Sequence, residues 1–279
     1  EGSVPLLSAN AGNLGSLAPF VRPSILKDAG GVKVGVFGLT VPDDPMCQNL
    51  PVTLDPNLAA VAAVQVGALR AAGAEVVVLL SHLGLSYDTD VAESVDGIDV
   101  IVGAHDHYVL DEPVEVRSPS GKTVLIVQAG PHFSHVGRLR LALRDGKVRS
   151  AGYELIPVDE RVRPDPSVQG MVSQLKAMIE ESLGPVFSSE VGFARRDLPI
   201  LPGERSPWKD TPTGNLVADA FRAAGLTDVA FTSAGVLSEG IWRGRLVPAD
   251  LFRVVSYGFD PETGFGFGLV TSEMSGVAL

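Results

Sequence analysis

The sequence predicts an α/β protein in which a parallel sheet covered by helices is followed by a smaller second domain. Two short runs, 76–80 and 98–102, are rich in Val, Leu and Ile. Such runs are typical of strands buried on both faces, as in a parallel sheet. An Ala-, Val- and Leu-rich stretch at 58–72 precedes the first run and predicts a crossover helix. With 279 residues, the chain is long enough for two domains with separate cores.

The first part of the chain is predicted to form a strand–helix–strand unit and then a hairpin. The segment 32–40, V-K-V-G-V-F-G-L-T, is a strand, and Asp55 or Asn57 can cap the helix that follows. Beyond the apolar runs, 123–128 and 136–143 alternate like paired strands. Asp145-Gly146 predicts a hairpin turn that returns the chain through 148–156. These strands suggest an antiparallel second sheet, or an edge beside the parallel one.

The second domain begins with the clearest helix of the sequence. Asp165 serves as N-cap, Pro166 starts the first turn and Gly184 follows the last one. Its apolar face predicts packing in a core or between domains. A strand near 190–193, a helix over 213–224 and a strand over 228–235 that enters a glycine turn complete the prediction.

Composition excludes several classes of function. The net charge of −11 opposes binding to nucleic acid or to an anionic membrane. Cys47 is the only cysteine, so neither an internal disulfide framework nor a thiolate-rich metal site is possible. The sequence shows no targeting segment and no apolar run long enough to span a bilayer. It carries no signal for an oligomeric state.

Histidines follow both apolar runs and are the candidate metal ligands. His82 comes after the first run, and His105 and His107 come after the second as part of an H-D-H triplet. Ligand sites of parallel sheets lie beyond the carboxyl ends of the strands, and imidazole suits zinc, manganese or iron. A lone histidine there is more often a hydrogen-bonded loop residue, but the triplet favours metal. His132 and His135 are predicted to have a loop or solvent role, with metal binding as the minor alternative.

Several motifs, taken in order, resemble the bacterial 5'-nucleotidase family of two-domain metallophosphoesterases. The similarity extends over nearly the whole chain. The motifs are L-S-A-N at 7–10, V-G-V-F-G-L-T at 34–40, S-H-L-G at 81–84, G-I-D-V-I-V-G-A-H-D-H at 97–107, V-Q-A-G at 127–130, V-G-R-L at 136–139 and T-G-N-L-V-A-D-A at 213–220.

The resemblance implies a partial layered metallophosphoesterase sandwich and a smaller, partial α+β 5'-nucleotidase C-terminal domain. Residues 1–163 would be the C-terminal part of the catalytic domain, 164–184 a linker helix and 185–279 a truncated substrate-binding domain. The family uses two divalent ions, zinc or manganese. By position, His82 and His105 match the ligands of one ion, and His107 matches a ligand of the other.

The resemblance also implies that part of the site is missing. The family's remaining ligands come from an Asp-x-His, a bridging Asp and a Gly-Asn-His motif, all before L-S-A-N, which here stands at 7–10. We therefore expect this chain to be a piece of a longer protein. Three neutral imidazoles cannot hold the two closely spaced dications of such a centre without a carboxylate, so the chain alone is expected to be inactive.

The resemblance places substrate contacts in the second domain. Tyr257 aligns with an aromatic that stacks on a base, although a core role fits nearly as well. Ser233 and Ser238 stand where the family has Asn and Arg, which removes a bidentate cation. Lys209 and Arg205 can compensate, although solvated surface charge is the more ordinary role for both.

The leading expectation is a bacterial, periplasmic or secreted hydrolase of nucleotides or related phosphate esters. Within the family this includes 5'-nucleotidases, UDP-sugar hydrolases and cyclic nucleotide phosphodiesterases. The substituted Asn and Arg positions motivate a second candidate, a thiosulfohydrolase of the same fold. A third candidate, from another class, is a non-catalytic binding relative. The expected partner is a small molecule.

Overall fold

Residues 4–42, 52–144, 147–200, 210–256 and 268–277 are described by a computed structural model. The chain divides into two units, Glu1–Arg163 and Pro164–Leu279. The assignment of residues 1–163, 164–184 and 185–279 to a catalytic domain, a linker and a substrate-binding domain stays a prediction. Cys47, Arg205, Lys209, Tyr257 and the turn Asp145-Gly146 lie outside the described residues.

The described part of the first unit contains a six-stranded sheet and two α-helices, with the remaining strands in two-stranded pairs. Its elements are β1 (Leu6–Leu7), β2 (Ala11–Gly12), β3 (Val21–Arg22), β4 (Ser24–Ala29), β5 (Val32–Thr40), β6 (Thr53–Leu54), α1 (Leu58–Ala71), β7 (Val76–His82), α2 (Leu85–Ser94), β8 (Val100–Val102), β9 (Val114–Arg117), β10 (Thr123–Val127), β11 (His135–Arg144) and β12 (Lys147–Pro157).

The main sheet has the order β4-β5-β7-β8-β10-β9. The four inner strands run parallel, and β4 and β9 are antiparallel edges. The prediction of an α/β fold is therefore confirmed, and β5 has the predicted bounds. Helix α1 begins at the predicted cap, because the Asn57 side chain accepts a hydrogen bond from the Ala60 N–H.

The core lies on the face of the sheet that α1 and α2 cover. Val77, Leu79 and Ile101 on the strands pack with Ala62 on α1 and Ala92 on α2, and all five are fully or almost fully buried. Near the strand ends on the other face, Leu80 and Val102 are 43% and 40% exposed. The prediction of strands buried on both faces is therefore wrong at these positions, because the two helices cover one face only.

One further expectation about the first unit needs correction. The segment 123–128 is not part of an antiparallel second sheet with 136–143. It forms β10, whose apolar residues are buried in the main sheet, parallel to β8. Strands β11 and β12 do form the predicted antiparallel hairpin. Helix α2 and strand β4 were not predicted. For α2 the reason is that the helix is polar over most of its length.

The second unit contains α3 (Pro166–Leu183), β13 (Gly192–Ala194), α4 (Pro212–Gly225), β14 (Gly244–Leu246) and α5 (Pro248–Val254). Its buried apolar cluster consists of Ala194, Val217, Leu237, Ile241 and Val254. Both long helices have side-chain caps. The Asp165 carboxylate accepts from Ser167 N–H and Val168 N–H, and the Thr211 hydroxyl accepts from Gly214 N–H.

Two predictions for the second unit are wrong. Helix α3 has no buried residue, so its apolar face is not packed in a core; Met171 and Met178 are 68% and 64% exposed. The segment 228–233 forms no strand, and a single 3-10 turn follows it at Ala234–Val236. Phe231 within it is 77% exposed, which shows that no neighbouring described segment covers it.

Among the residues that the structure describes, no helix combines the length and the apolar character needed to cross a membrane.

Candidate metal centre

The candidate site lies where β7 and β8 end side by side. The two strands are parallel neighbours, with Leu80 opposite Val102. His82 is the last residue of β7, and His105 and His107 lie in the segment that follows β8. The structure thus places all three predicted ligands at one edge of the sheet. This arrangement follows from two apolar runs that end at the same level of a parallel sheet.

The imidazoles at this edge form two pairs. The rings of His82 and His105 have centroids 5.3 Å apart, and the rings of His107 and His132 have centroids 5.9 Å apart. His105 and His107 therefore contact different partners and do not converge on one point. His132, for which we expected a loop or solvent role, is the residue that completes the second pair.

Three of these histidines have a backbone conformation that is uncommon for residues other than glycine. The φ angles are +86° at His105, +59° at His107 and +57° at His132. Left-handed backbone at such residues costs about 1–3 kcal/mol each and persists where the surrounding structure enforces it. Strain of this kind is concentrated at functional sites. Its presence in both histidine pairs therefore marks this edge of the sheet as a candidate functional site.

Asp106 anchors the loop that carries His105 and His107. Its Oδ2 accepts a hydrogen bond from the Leu85 N–H at 2.8 Å, and its Oδ1 accepts one from the Gln128 side-chain amide at 2.9 Å. The carboxylate therefore ties the loop to the start of α2 and to the residue after β10. Through these two bonds Asp106 holds the loop of the flanking histidines in place.

Ser81 and Asp88 anchor the segment that carries His82. Asp88 on α2 is fully buried, and its Oδ1 accepts a hydrogen bond from the Ser81 hydroxyl. The Ser81 oxygen in turn accepts from the Leu83 N–H at 3.1 Å. These bonds fix the backbone on both sides of His82. Asp88 and Gln128 were not singled out from the sequence, since one lies in a polar helix and the other follows an apolar strand.

Gly103 packs closely against two buried polar oxygens, one from Asp88 and one from Gln128. Asp88 Oδ2 and Gln128 Oε1 are buried, and neither has a hydrogen-bond partner among the described residues. A Cβ atom at position 103 would lie 2.7 Å from the first oxygen and 3.4 Å from the second. Burial raises the pKa of Asp88 to about 7, against the opposing effect of the Ser81 hydrogen bond, and the nearby Asp106 adds to the increase.

The electrostatics at His107 favour neutral imidazole. Burial holds the pKa of His107 below its ordinary value, and repulsion from His132 and His105 lowers it further. Neutral imidazole is the form that binds metal ions. The lowered pKa of His107 is therefore consistent with metal ligation by this residue.

Each pair brings two imidazole rings together, which is fewer than the ligands of a complete divalent metal site. Within the described ranges, no group of three or more His, Cys, Asp and Glu side chains is arranged to hold an ion. The donor chemistry fits zinc or manganese, and the number of ligands is less than either ion requires. Metal binding by His82, His105 and His107 stays a prediction.

Of the predicted substrate contacts, only Ser233 is described. Its hydroxyl oxygen accepts a hydrogen bond from the Gly235 N–H at 3.2 Å, so it caps the turn at Ala234–Val236. Ser233 is exposed, whereas Ser238 is buried. A cleft of about 840 Å³ lies between the end of α4 and 269–274, and Ser233 does not line it.

Comparison with known proteins bears out the resemblance seen in the sequence. Residues 190–279 match the family model of the 5'-nucleotidase C-terminal domain. The chain is 29% identical over 254 residues to the trifunctional nucleotide phosphoesterase protein YfkN of Bacillus subtilis, covering 85% of this chain. It superposes on the 5'-nucleotidase precursor of Thermus thermophilus with a TM-score of 0.71, 26% identity and 90% coverage.

A second solved structure shares the fold alone. The sulfate thiohydrolase SoxB of Thermus thermophilus superposes with a TM-score of 0.69, 20% identity and 91% coverage of this chain. The chain spans 16% of YfkN, 53% of the 5'-nucleotidase precursor and 46% of the thiohydrolase, about half or less of each of these three proteins.

Proposed function

We propose that the protein is a metal-dependent nucleotide hydrolase. The premise is that residues 190–279 match the 5'-nucleotidase C-terminal domain and that homologues of the chain are 5'-nucleotidases of the calcineurin-like phosphoesterase fold. The observation that supports this most directly is the position of the histidine pairs. They lie at the carboxyl edge of a parallel sheet, on strained backbone, above a buried network of anchors.

Each residue of the site has a proposed role. His82 and His105 hold one divalent ion and His107 holds a second, zinc or manganese, with further ligands outside the described residues. Bound ions would supply Lewis-acid stabilisation of a phosphate and acidify water. Asp106 and Ser81 keep the imidazoles in place through the hydrogen bonds to Leu85, Gln128 and Asp88.

The substrate is proposed to be a 5'-nucleotide or a related phosphate ester, bound by the second unit. Ser233 is exposed, and its hydroxyl can donate a hydrogen bond while its oxygen caps the turn. Tyr257 and Lys209 are the other proposed contacts, one for stacking on a base and one for phosphate. The proposed location is the periplasm or the exterior of a bacterial cell.

A thiosulfohydrolase is the second candidate, and Ser238 is the observation that favours it. This side chain is 5% exposed, at the position where the resemblance leads one to expect an arginine that contacts phosphate. A buried serine supplies no charge, so a substrate with another anionic group is consistent with it. A non-catalytic binding relative is the third candidate.

A substrate panel on the complete gene product tests these candidates. AMP, UDP-glucose and cyclic nucleotides are assayed with Mn²⁺ or Zn²⁺, beside an S-sulfonated cysteine as the thiosulfohydrolase probe. Release of phosphate or nucleoside from the first group supports the proposal, and release of sulfate alone supports the second candidate. Turnover of neither class, together with an upstream gene sequence that lacks Asp-x-His and Gly-Asn-His, would leave the binding relative.

A further inference from the structure

The imidazole of His132 lies beside His107 on a different segment of the chain. Their ring centroids are 5.9 Å apart with the ring planes inclined by 63°. A metal–nitrogen bond of about 2.0–2.1 Å puts a ring centroid about 3.2 Å from the ion, so two ligands of one ion have centroids about 4.5–6 Å apart. The His107–His132 separation falls within this range, as does the 5.3 Å separation of His82 and His105.

Backbone hydrogen bonds hold the two segments in register. The Gly130 N–H donates to the Tyr108 carbonyl at 2.9 Å, and the Leu110 N–H donates to the Gln128 carbonyl at 3.1 Å. Val109 and Ala129 form a bridge between these two bonds. The loop of His132 is closed by the Ser134 N–H, which donates to the Pro131 carbonyl at 3.1 Å. The backbone hydrogen bonds of the fold therefore bring His107 and His132 together.

An edge-to-face aromatic contact accounts for the same ring separation. It does not account for the strained backbone conformation, since His107, His132 and the adjacent Phe133 all have left-handed φ angles. Phe133 is 91% exposed and the structure places His132 at the surface as well. A solvent-exposed ring contact stabilises too little to offset the strain of these three residues, whereas the binding of an ion contributes enough to offset it.

We propose that His132 is a metal ligand and that it binds, together with His107, a divalent transition ion of the zinc class. This extends the function proposed above, in which His107 holds one of two ions, by a ligand from the P-H-F-S-H segment. Two imidazole nitrogens select zinc, nickel or copper over magnesium and calcium, which prefer oxygen. The other coordination positions are left to the further ligands of the proposed site, to water and to substrate oxygens.

Zinc stoichiometry of the complete gene product tests the proposal, by equilibrium dialysis at a free zinc level that saturates the wild type. Wild type is expected to bind two equivalents. His132→Ala and His107→Ala are each expected to lose one, and the double variant to lose no more than either single one, since both remove the same site. Circular dichroism verifies that each variant is folded.

His135→Ala is the matched control, because His135 lies in the same segment and its Nδ1 is paired with the Ser134 hydroxyl at 3.0 Å. It is expected to bind as much zinc as wild type. Electron paramagnetic resonance of bound Cu²⁺ supplies a second readout, in which His132→Ala loses the signal of one coordinated nitrogen. Zinc binding by His132→Ala that equals binding by His135→Ala would overturn the proposal.

His82→Ala separates this inference from the function on which it rests. If His82→Ala loses one equivalent and His132→Ala loses none, the role of His82 and His105 stands and His132 is not a ligand. If His132→Ala loses one and His82→Ala none, the His107–His132 site stands and the proposed His82–His105 site is wrong. If neither variant loses zinc, both ideas are wrong.

Discussion

The carboxyl group of Asp88 shows how much a single buried residue contributes to the site. It is fully buried, accepts the Ser81 hydroxyl and leaves one oxygen beside Gly103 without a described partner. Ionised, it would be a buried charge without a counter-ion, which explains why burial raises its pKa to about 7. The fold therefore favours the protonated form.

Asp88→Asn is predicted to remove a pH dependence of stability. A pKa raised from 3.8 to about 7 means that the folded chain binds this proton more tightly than the unfolded chain. The stabilisation that comes from this tighter proton binding is fully present below about pH 4. It is lost as the pH rises through about 7, which lowers the free energy of unfolding by about 2–4 kcal/mol. Urea denaturation at about pH 5 and about pH 8 measures the difference. The variant with the neutral, isosteric Asn is expected to lose less stability than wild type over this interval.

Asp90→Asn is the matched control for this prediction, since Asp90 lies on the same helix and is less buried than Asp88. It is expected to keep the pH dependence of wild type. If Asp88→Asn and Asp90→Asn lose the same stability between the two pH values, Asp88 is not the buried acid that we describe.

The sequence predicted which histidines reach the sheet edge, but not how their rings pair. Strand ends follow from apolar runs, so His82 and His105 were assigned to one edge correctly. Pairing depends on contacts between distant segments, such as the bond from Gly130 to Tyr108 that brings His132 to His107. No local pattern contains that information. The same holds for Asp88, whose burial depends on the packing of α2.

At the scale of elements, Asp99 links one helix of the first unit to two neighbouring strands of its main sheet. Asp99 belongs to G-I-D-V, the start of the motif at 97–107 in which we predicted two metal-binding histidines. In the structure its Oδ2 accepts hydrogen bonds from the Arg70 guanidinium at 2.6 Å and from the Val77 N–H at 2.8 Å. It thus joins the end of α1 and the start of β7 to β8, and its role is structural.

Asp99→Ala is predicted to lower the free energy of unfolding by about 2–3 kcal/mol, because it leaves Arg70 without its ion pair and the Val77 N–H without an acceptor. Chemical denaturation measures this loss. Glu93→Ala, a change on α2 away from these contacts, is the control and is expected to have an effect within about 0.5 kcal/mol. An equal loss in both variants would show that Asp99 joins nothing essential.

Elements with regular periodicity were predicted well, and elements defined by context were not. Helices α1 and α3 have caps at predicted residues, because a capping side chain acts within one turn, and α4 begins one residue before its predicted start. The apolar face of α3 was predicted to pack, and none of its residues is buried. Periodicity gives the face of a helix, whereas its burial depends on what lies opposite.

At the scale of the whole molecule, the two units differ in the size of their cores. The first has an extensive cluster around Phe37, Leu79 and Ile126, whereas the described part of the second has five buried apolar residues. Burial of apolar surface is the main stabilising contribution to folding. The second unit is therefore expected to be the less stable one.

Thermal unfolding is predicted to occur in two steps, with the second unit first. Both tryptophans of the chain, Trp208 and Trp242, belong to the second unit, so tryptophan fluorescence reports on that unit alone. The midpoint of the fluorescence transition is expected to lie several degrees below the main calorimetric transition. A fluorescence midpoint that coincides with a single calorimetric peak would contradict separate stabilities.

The last prediction is that the 279-residue chain does not hydrolyse AMP by itself, even with excess Mn²⁺. Hydrolysis by two ions requires negative ligands that hold the dications about 3.5–4 Å apart. The described histidine pairs supply neutral nitrogens only, and both oxygens of Asp106 are bonded to Leu85 and Gln128. A colorimetric phosphate assay measures turnover, with the complete gene product as the positive control. His105→Ala identifies contamination, because a contaminating phosphatase is unaffected by this change in the chain. Turnover at the rate of the complete protein that His105→Ala abolishes would show that the described residues suffice for catalysis.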